Sequence, residues 1–204
     1  MDKAKIIFLG TGTSEGVPRV SCLISKNKKC DVCFDSMKLN SKNRRRNTSI
    51  LIQHKNKNII IDAGKTFYDS SINFFPINNV TSIDGLIITH AHADHAKPNH
   101  KNVLATEDTI NIMKLRYGNN CAKSFQIMKF GEKVYIDGLY ITFYPAGHIL
   151  GSAQVLIEKN GLKTLVTGDY KTVFDPTCQS FDLIKTNILV TEATFGLPIF
   201  KHPN

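Results

Sequence analysis

Four side chains able to hold a metal ion stand within six residues, at His90, His92, Asp94 and His95, directly behind the apolar run Gly85-Leu86-Ile87-Ile88. Alternation along a strand points the imidazoles of an H-x-H pair to one side, and the turn that follows can swing Asp94 and His95 toward a neighbouring position. Imidazole and carboxylate together suit Zn, Mn or Fe. Two ions bridged by one water generate a hydroxide nucleophile near neutral pH and clamp a scissile phosphoryl or acyl oxygen. A chain built around this cluster needs a sheet that delivers it to an edge, and other strands that end beside it.

The remaining sequence offers such strands. Short β-rich runs recur at 6–9, 48–53, 58–62, 85–89, 133–136, 140–144, 153–158, 163–167 and 188–191, most of them closed by Gly, Asn, Asp or His. Asp137-Gly138 and Asn160-Gly161 are hairpin turns by composition. One helix is clear at 106–117, opened by Thr106 and closed by Gly118-Asn119. His148 follows one strand in Pro145-Ala146-Gly147-His148, and Asp169 follows another in Val166-Thr167-Gly168-Asp169. Alone, each reads as a core histidine or a turn residue. Beside the first cluster, both become candidate ligands. Asp62 closes the run Ile59-Ile60-Ile61 and reads either as a partner that orients a ligand histidine or as a turn residue. Glycines 10, 12 and 16 lack the spacing of a dinucleotide loop and the Gly-Lys-Ser/Thr of a P-loop, so they mark a tight turn.

Composition narrows the class. With 42% hydrophobic and 21% charged residues, the 204-residue chain is ordinary for a globular protein, which excludes disordered and fibrous classes. No apolar run approaches the ~20 residues of a membrane helix, and the start carries no signal-peptide core, so the expected address is the cytoplasm, with no membrane partner. Residues 1–57 hold 13 Lys and Arg against 4 Asp and Glu, and therefore all of the net charge of +9. Arg44, Arg45 and Arg46 sit in the densest part and read either as phosphate contacts or as a solvated face. Cys22, Cys30 and Cys33 supply three of the four ligands of a structural zinc, with His54 or a later residue as the fourth. The other reading is free thiols. Cys121 and Cys178 read as packing residues.

The order H-x-H-x-D-H, Ala-Gly-His, Gly-Asp, with Leu9-Gly10-Thr11-Gly12 near the start, resembles the metallo-β-lactamase superfamily over essentially the whole chain. The resemblance implies an α/β fold, the αββα sandwich, as one domain over 1–204 with the C-terminal completeness of the sandwich left open. It also implies a pair of divalent metal ions, zinc before manganese. His90, His92 and His148 would hold the first, Asp94 and His95 the second, and Asp169 would bridge. The two halves resemble different branches. Residues 10–18, the three cysteines and 43–49 are similar to small phosphodiesterases related to the cyclic-phosphate phosphodiesterase of phosphonate breakdown. From about His92 onward, Leu115-Arg116-Tyr117-Gly118, Gly168-Asp169-Tyr170-Lys171 and Thr191-Glu192-Ala193-Thr194-Phe195-Gly196 are similar to the DNA-ligase-associated exonuclease of the β-CASP group. A seam between branches would fall near 90–97. In that second branch Glu192 would assist catalysis with Asp94 and Asp169, although a strand-end carboxylate can also cap a loop.

The function implied is a phosphodiesterase or nuclease acting on nucleic acid. Three alternatives stand beside it: a small-molecule cyclic phosphodiesterase, a glyoxalase-type thioesterase, and a truncated, non-catalytic metal-binding protein. The last follows from two departures. The chain stops at Asn204, before a β-CASP domain, and no histidine after Asp169 occupies the motif that completes the second metal site in both branches: His202 is the only candidate by position, and its context Phe200-Lys201-His202-Pro203 does not match.

Overall fold

The computed structural model describes residues 3–26 and 30–194. Phe195, His202 and the remainder of the 195–204 segment lie outside them. Among the described residues, eleven strands form two sheets. The first has the order β1-β2-β3-β4-β5-β6 and the second β11-β10-β9-β8-β7. In the first, β1 (Lys5–Gly10), β2 (Ser49–His54) and β3 (Lys57–Ile61) are antiparallel neighbours, and β4 (Gly85–Ile87), β5 (His100–Ala105) and β6 (Ala122–Ile127) add in parallel. In the second, β7 (Lys133–Ile136), β8 (Leu139–Pro145), β9 (Ala153–Lys159) and β10 (Leu162–Val166) meander antiparallel, and β11 (Ile188–Val190) joins β10 in parallel.

The continuous apolar runs of β2 and β3 follow from burial on both faces. Ile50, Ile52, Ile59, Ile61 and Ile87 point into the core between the sheets, where they meet Ile141, Phe143, Val155, Ile157 and Val166 of the second sheet. Their neighbours Leu51, Ile60, Leu86 and Ile88 point the other way, to Ile110 and Met113 of α4 (Glu107–Tyr117) and to Phe67 and Phe74 of α3 (Phe67–Phe74). Helices α1 (Val20–Ile24) and α2 (Asp31–Asp35) are single turns beside the cysteines. Among the described residues all helices precede β6, and none is long and apolar enough to cross a membrane. The outer face of the second sheet is instead crossed by the segment after Asp169: Gln154 Nε2 donates to the carbonyls of Asp182 (2.7 Å) and Pro145 (2.9 Å).

Both expected hairpins form, joining Ile136 to Leu139 and Lys159 to Leu162 with Asp137-Gly138 and Asn160-Gly161 at positive φ. The sequence pattern does not reveal β5, β6 and α3. The first half of β5 is polar and only its second half is buried. β6 is an edge strand, exposed along most of its length. The topology has one decisive consequence. Strands β3, β4, β8, β10 and β11 all run in one direction within their layers, so the residues that follow them gather at a single edge of the sandwich.

Candidate metal centre

The loop after β4 is a tight structure. The amides of His95 and Ala96 both donate to His92 O (3.0 and 2.8 Å), and Ala63 N donates to His95 O (2.8 Å). The chain at Gly64 passes so close that a Cβ there would lie 1.7 Å from the Asp94 carbonyl oxygen. His148 is set by Ser152, whose hydroxyl accepts from the amides of His148 (3.0 Å) and Ile149 (3.2 Å). Gly147, at φ 69°, lets this loop touch the Lys171 carbonyl, where a Cβ would stand 2.3 Å away.

Three imidazoles converge at this edge. His92 Nδ1 lies 3.2 Å from His90 Nε2 and 3.3 Å from His148 Nε2. Zinc–nitrogen bonds of 2.0–2.1 Å in a tetrahedron place ligand nitrogens about 3.3 Å apart, so the donor set fits a zinc-sized ion. Burial is the main reason that all three histidines titrate below the ordinary range. For His90, the charges that His95, His148 and His92 can carry add to this effect. Neutral rings present the lone pairs a metal needs.

A second set adjoins the first and comprises His90, His95 and Asp169, whose ligand atoms lie within 4.8 Å of one another. Asp169 Oδ2 is 3.9 Å from His90 Nε2 and from His148 Nε2, and its Oδ1 is 3.4 Å from His95 Nε2. One carboxylate thus presents an oxygen to each set. Asp94 Oδ2 reaches His95 Nε2 at 3.5 Å. Burial pushes the Asp169 carboxyl up to about 6, against the pull of His95 and with the help of Glu192. Burial opposes charge on His95, but the Asp62 carboxylate, followed by Asp169 and Asp94, more than offsets it and raises the imidazole to about 9.

Asp62 is buried, with a left-handed backbone at φ 60°. Its Oδ2 faces His95 Nδ1 at 2.7 Å and accepts from the Thr89 hydroxyl at 2.7 Å, while Oδ1 accepts from Thr89 N at 2.8 Å. Thr89 Oγ1 is in turn 3.1 Å from His90 Nδ1. One carboxylate therefore fixes two ring orientations, with Nε2 of both histidines left facing the centre.

Asp94, His95 and Asp169 form one wall of a cavity of about 470 Å³, lined otherwise by residues 10–14, Thr48, Thr167 and the stretch 190–194. Glu192 lines it, accepting from Tyr170 N at 3.1 Å. The pocket wall at Thr11, Thr13, Ser14 and Thr48 was not legible as such; the glycine-rich turn was the available signal. Arg44, Arg45 and Arg46 do not line the cavity. Arg44 and Arg46 face Asp69 at 3.9 and 3.4 Å, and Arg45 donates to the Lys42 carbonyl. Their backbone buttresses the wall, since Gly12 N donates to Arg46 O (2.6 Å).

Cys22, Cys30 and Cys33 bring their sulfurs within 4.8 Å of one another, well away from this centre in sequence. The Cys33 amide and thiol lower the Cys30 thiol, and the neighbouring thiols, Cys33 first, raise Cys22. His54 does not join them. It is buried beside Lys159 (Nζ to Nε2, 3.1 Å), close to the Gly138 turn. Cys121 is buried in the core beneath α4, and Cys178 is half-buried.

Endoribonuclease ysh-1 of Neurospora crassa is 32% identical to this chain over 185 residues, covering 72% of the chain and 22% of the fungal protein. The chain thus spans about a fifth of the length of such curated relatives. Three solved structures share the fold. A diphosphatase of the PhnP family superposes with a TM-score of 0.61 at 20% identity, covering 80% of this chain and 65% of that one. Zn(2+)-bound PqqB of Methylobacterium extorquens gives 0.63 at 14%, covering 85% and 67%. The metallo-beta-lactamase fold protein YhfI of Bacillus subtilis gives 0.56 at 15%, covering 83% and 63%. No family model matches the chain. The two-sheet topology, the histidine- and aspartate-bearing loops gathered at one edge and these superpositions lead to one assignment: the chain has the metallo-β-lactamase fold.

Proposed function

We propose that this chain is a metal-dependent hydrolase of phosphodiesters, with nucleic acid as its preferred substrate class, built as one domain over 1–204. The observation that carries the reading is the position of Asp169, which faces the three-histidine set with one oxygen and His95 with the other, at the floor of the cavity. Two divalent ions held by these sets, zinc before manganese, would supply positive charge for a phosphoryl oxygen and acidify an attacking water. The chain's own part is positional. Asp94 and Asp169 present carboxylate oxygens that can orient the attacking water and accept its proton. The new O–P bond forms as the ester O–P bond breaks, and the leaving oxygen takes up a proton. Glu192, beside Asp169 in the cavity wall, holds Tyr170 N and so anchors the strand of chain that carries Asp169.

The cavity's size favours a second reading, a small-molecule phosphodiesterase, because a volume of about 470 Å³ suits a single nucleotide-sized ligand. Hydrolysis of bis-p-nitrophenyl phosphate, a cyclic nucleotide, single-stranded RNA or DNA, and a thioester, each with and without chelator, tests these readings. Chelator-sensitive cleavage of RNA or DNA is the expected result. Cleavage of the thioester alone, or activity that survives chelation, would contradict the proposal.

The three cysteines we assign to a structural zinc, in keeping with a reducing compartment such as the cytoplasm. Cys30→Ser should lose one bound zinc per chain and melt at lower temperature than the parent. Equal zinc content in variant and parent rejects the assignment.

A further inference from the structure

Helix α4 touches both loops that supply the three histidines, one at each of its ends. At its N-terminus, Thr106 Oγ1 donates to the Gly151 carbonyl at 2.6 Å and Thr109 Oγ1 donates to the same oxygen at 3.0 Å. Both threonines are buried, and Thr106 also caps the helix by accepting from Thr109 N (3.3 Å). The Gly151 carbonyl belongs to the turn whose next residue, Ser152, holds the His148 amide. That turn is closely seated, because a Cβ on Gly151 would stand 2.7 Å from Asp108 Cβ and 2.8 Å from Thr106 Oγ1.

At the C-terminus of α4, Arg116 Nη1 donates to the carbonyl of Ala91, the residue between His90 and His92, at 2.5 Å. Tyr117 OH donates to the carbonyl of Ala96, just past His95, at 3.2 Å. Ala91 and Ala96 are fully buried. Their carbonyls need donors, and in this loop the donors come from α4. The apolar residues Ile110 and Met113 account for the helix's place on the sheet. They do not account for polar contacts concentrated at its two ends.

We propose that α4 is a splint that sets the spacing of His92 and His148, with Arg116, Thr106 and Thr109 as positioning residues for the three-histidine site. Arg116 is the main one, because a charged guanidinium makes the stronger bond and no other side chain reaches the Ala91 carbonyl among the described contacts. The inference rests on the metal-centre reading above.

The test measures zinc affinity, by competition with a chromophoric chelator, and the visible spectrum of the cobalt-substituted protein. Thiolate charge-transfer bands distinguish cobalt on the cysteines from cobalt on the histidines. Partners that hold ligands in place typically contribute 10–100-fold to metal affinity, so Arg116→Met should weaken zinc binding by about 10–100-fold and shift the cobalt d–d bands. Arg116→Lys should recover part of the loss. Thr109→Val, which leaves Thr106 in place, should show a smaller loss in the same direction. The denaturation midpoint of the metal-free protein should change little in Arg116→Lys and Thr109→Val, and these two carry the test if Arg116→Met does not fold. Affinity and spectra equal to the parent's in all folded variants would overturn the splint while leaving the metal centre intact. A parent that binds no metal at the histidines would overturn the reading beneath it as well.

Discussion

Asp169→Asn should abolish most hydrolysis and leave the metal-free protein at least as stable as the parent at pH 7. The loss of rate follows from the position of the carboxylate between the two ligand sets. An amide cannot present an anionic oxygen to each, and forfeiting about 4 kcal/mol of transition-state stabilisation corresponds to about a thousandfold in rate. The stability gain follows from burial. The Asp169 carboxyl is raised to about 6, so its ionised form is disfavoured in the folded chain. That penalty is fully present above pH 6, shrinks as pH falls through 6 and vanishes below the ordinary carboxylate range near 4. The stability difference between variant and parent should therefore be largest at pH 7 and close toward pH 4. Denaturant melts of the metal-free proteins across that range check it, and a parent clearly more stable than the variant at pH 7 would contradict it. Such an opposition between stability and activity is what a site selected for charge would show.

Gly64→Ala should be as damaging from a different cause. The added methyl would overlap the Asp94 carbonyl oxygen at 1.7 Å and its carbon at 2.3 Å, and both are backbone atoms that no rotamer change can move. The loop must shift as a whole, and His95, which shares the loop, shifts with it. A destabilisation of about 2–4 kcal/mol is expected, together with loss of metal at the His95 site. Circular dichroism melts and metal content measure the two effects. A variant within about 0.5 kcal/mol of the parent would show that the loop has room the structure does not provide.

Legibility in the sequence followed the physics of burial. Strands β2, β3, β8 and β9 stand out because most of their residues are buried, which makes their sequences runs of apolar and β-branched residues. The short helix α3 has no side-chain cap at Thr66, and its two phenylalanines, Phe67 and Phe74, share a face but stand seven residues apart among polar residues, so few residues carry its period and it owes its place to packing on β1. The site was legible where ligands cluster in sequence, as in 90–95, and where a single residue ends an apolar run, as at Asp169. Asp62 left two readings open because a carboxylate after a strand is common, and only the tertiary fold brings it 2.7 Å from His95. Arg116 enters the sequence reading only within the Leu115-Arg116-Tyr117-Gly118 resemblance, with no positioning role attached. Its role depends on where α4 lands, and an arginine near a helix C-terminus is ordinarily explained by the helix dipole.

The same limit applies to charge. The basic stretch at 44–46 fits phosphate contacts and solvated surface equally well by sequence. In the structure its side chains are directed to Asp69 and to the Lys42 carbonyl, while its backbone supports the pocket wall. Charge counted along a sequence does not say which acidic partner lies across the fold.

The most direct measurement is hydrolysis of bis-p-nitrophenyl phosphate by metal-free protein reloaded stepwise with zinc or manganese, with bound metal counted in parallel. Three converging imidazoles should fill before the set of His95, Asp94 and the shared Asp169, so binding at the histidine-carboxylate centre should have a tight and a weaker phase. His92→Ala should remove the first and His95→Ala the second. Activity should rise with the weaker phase, because the charge clamp needs both ions. Full activity with only the three-histidine site filled, or undiminished hydrolysis by the metal-free chain, would contradict a centre in which Asp169 joins two metal sites.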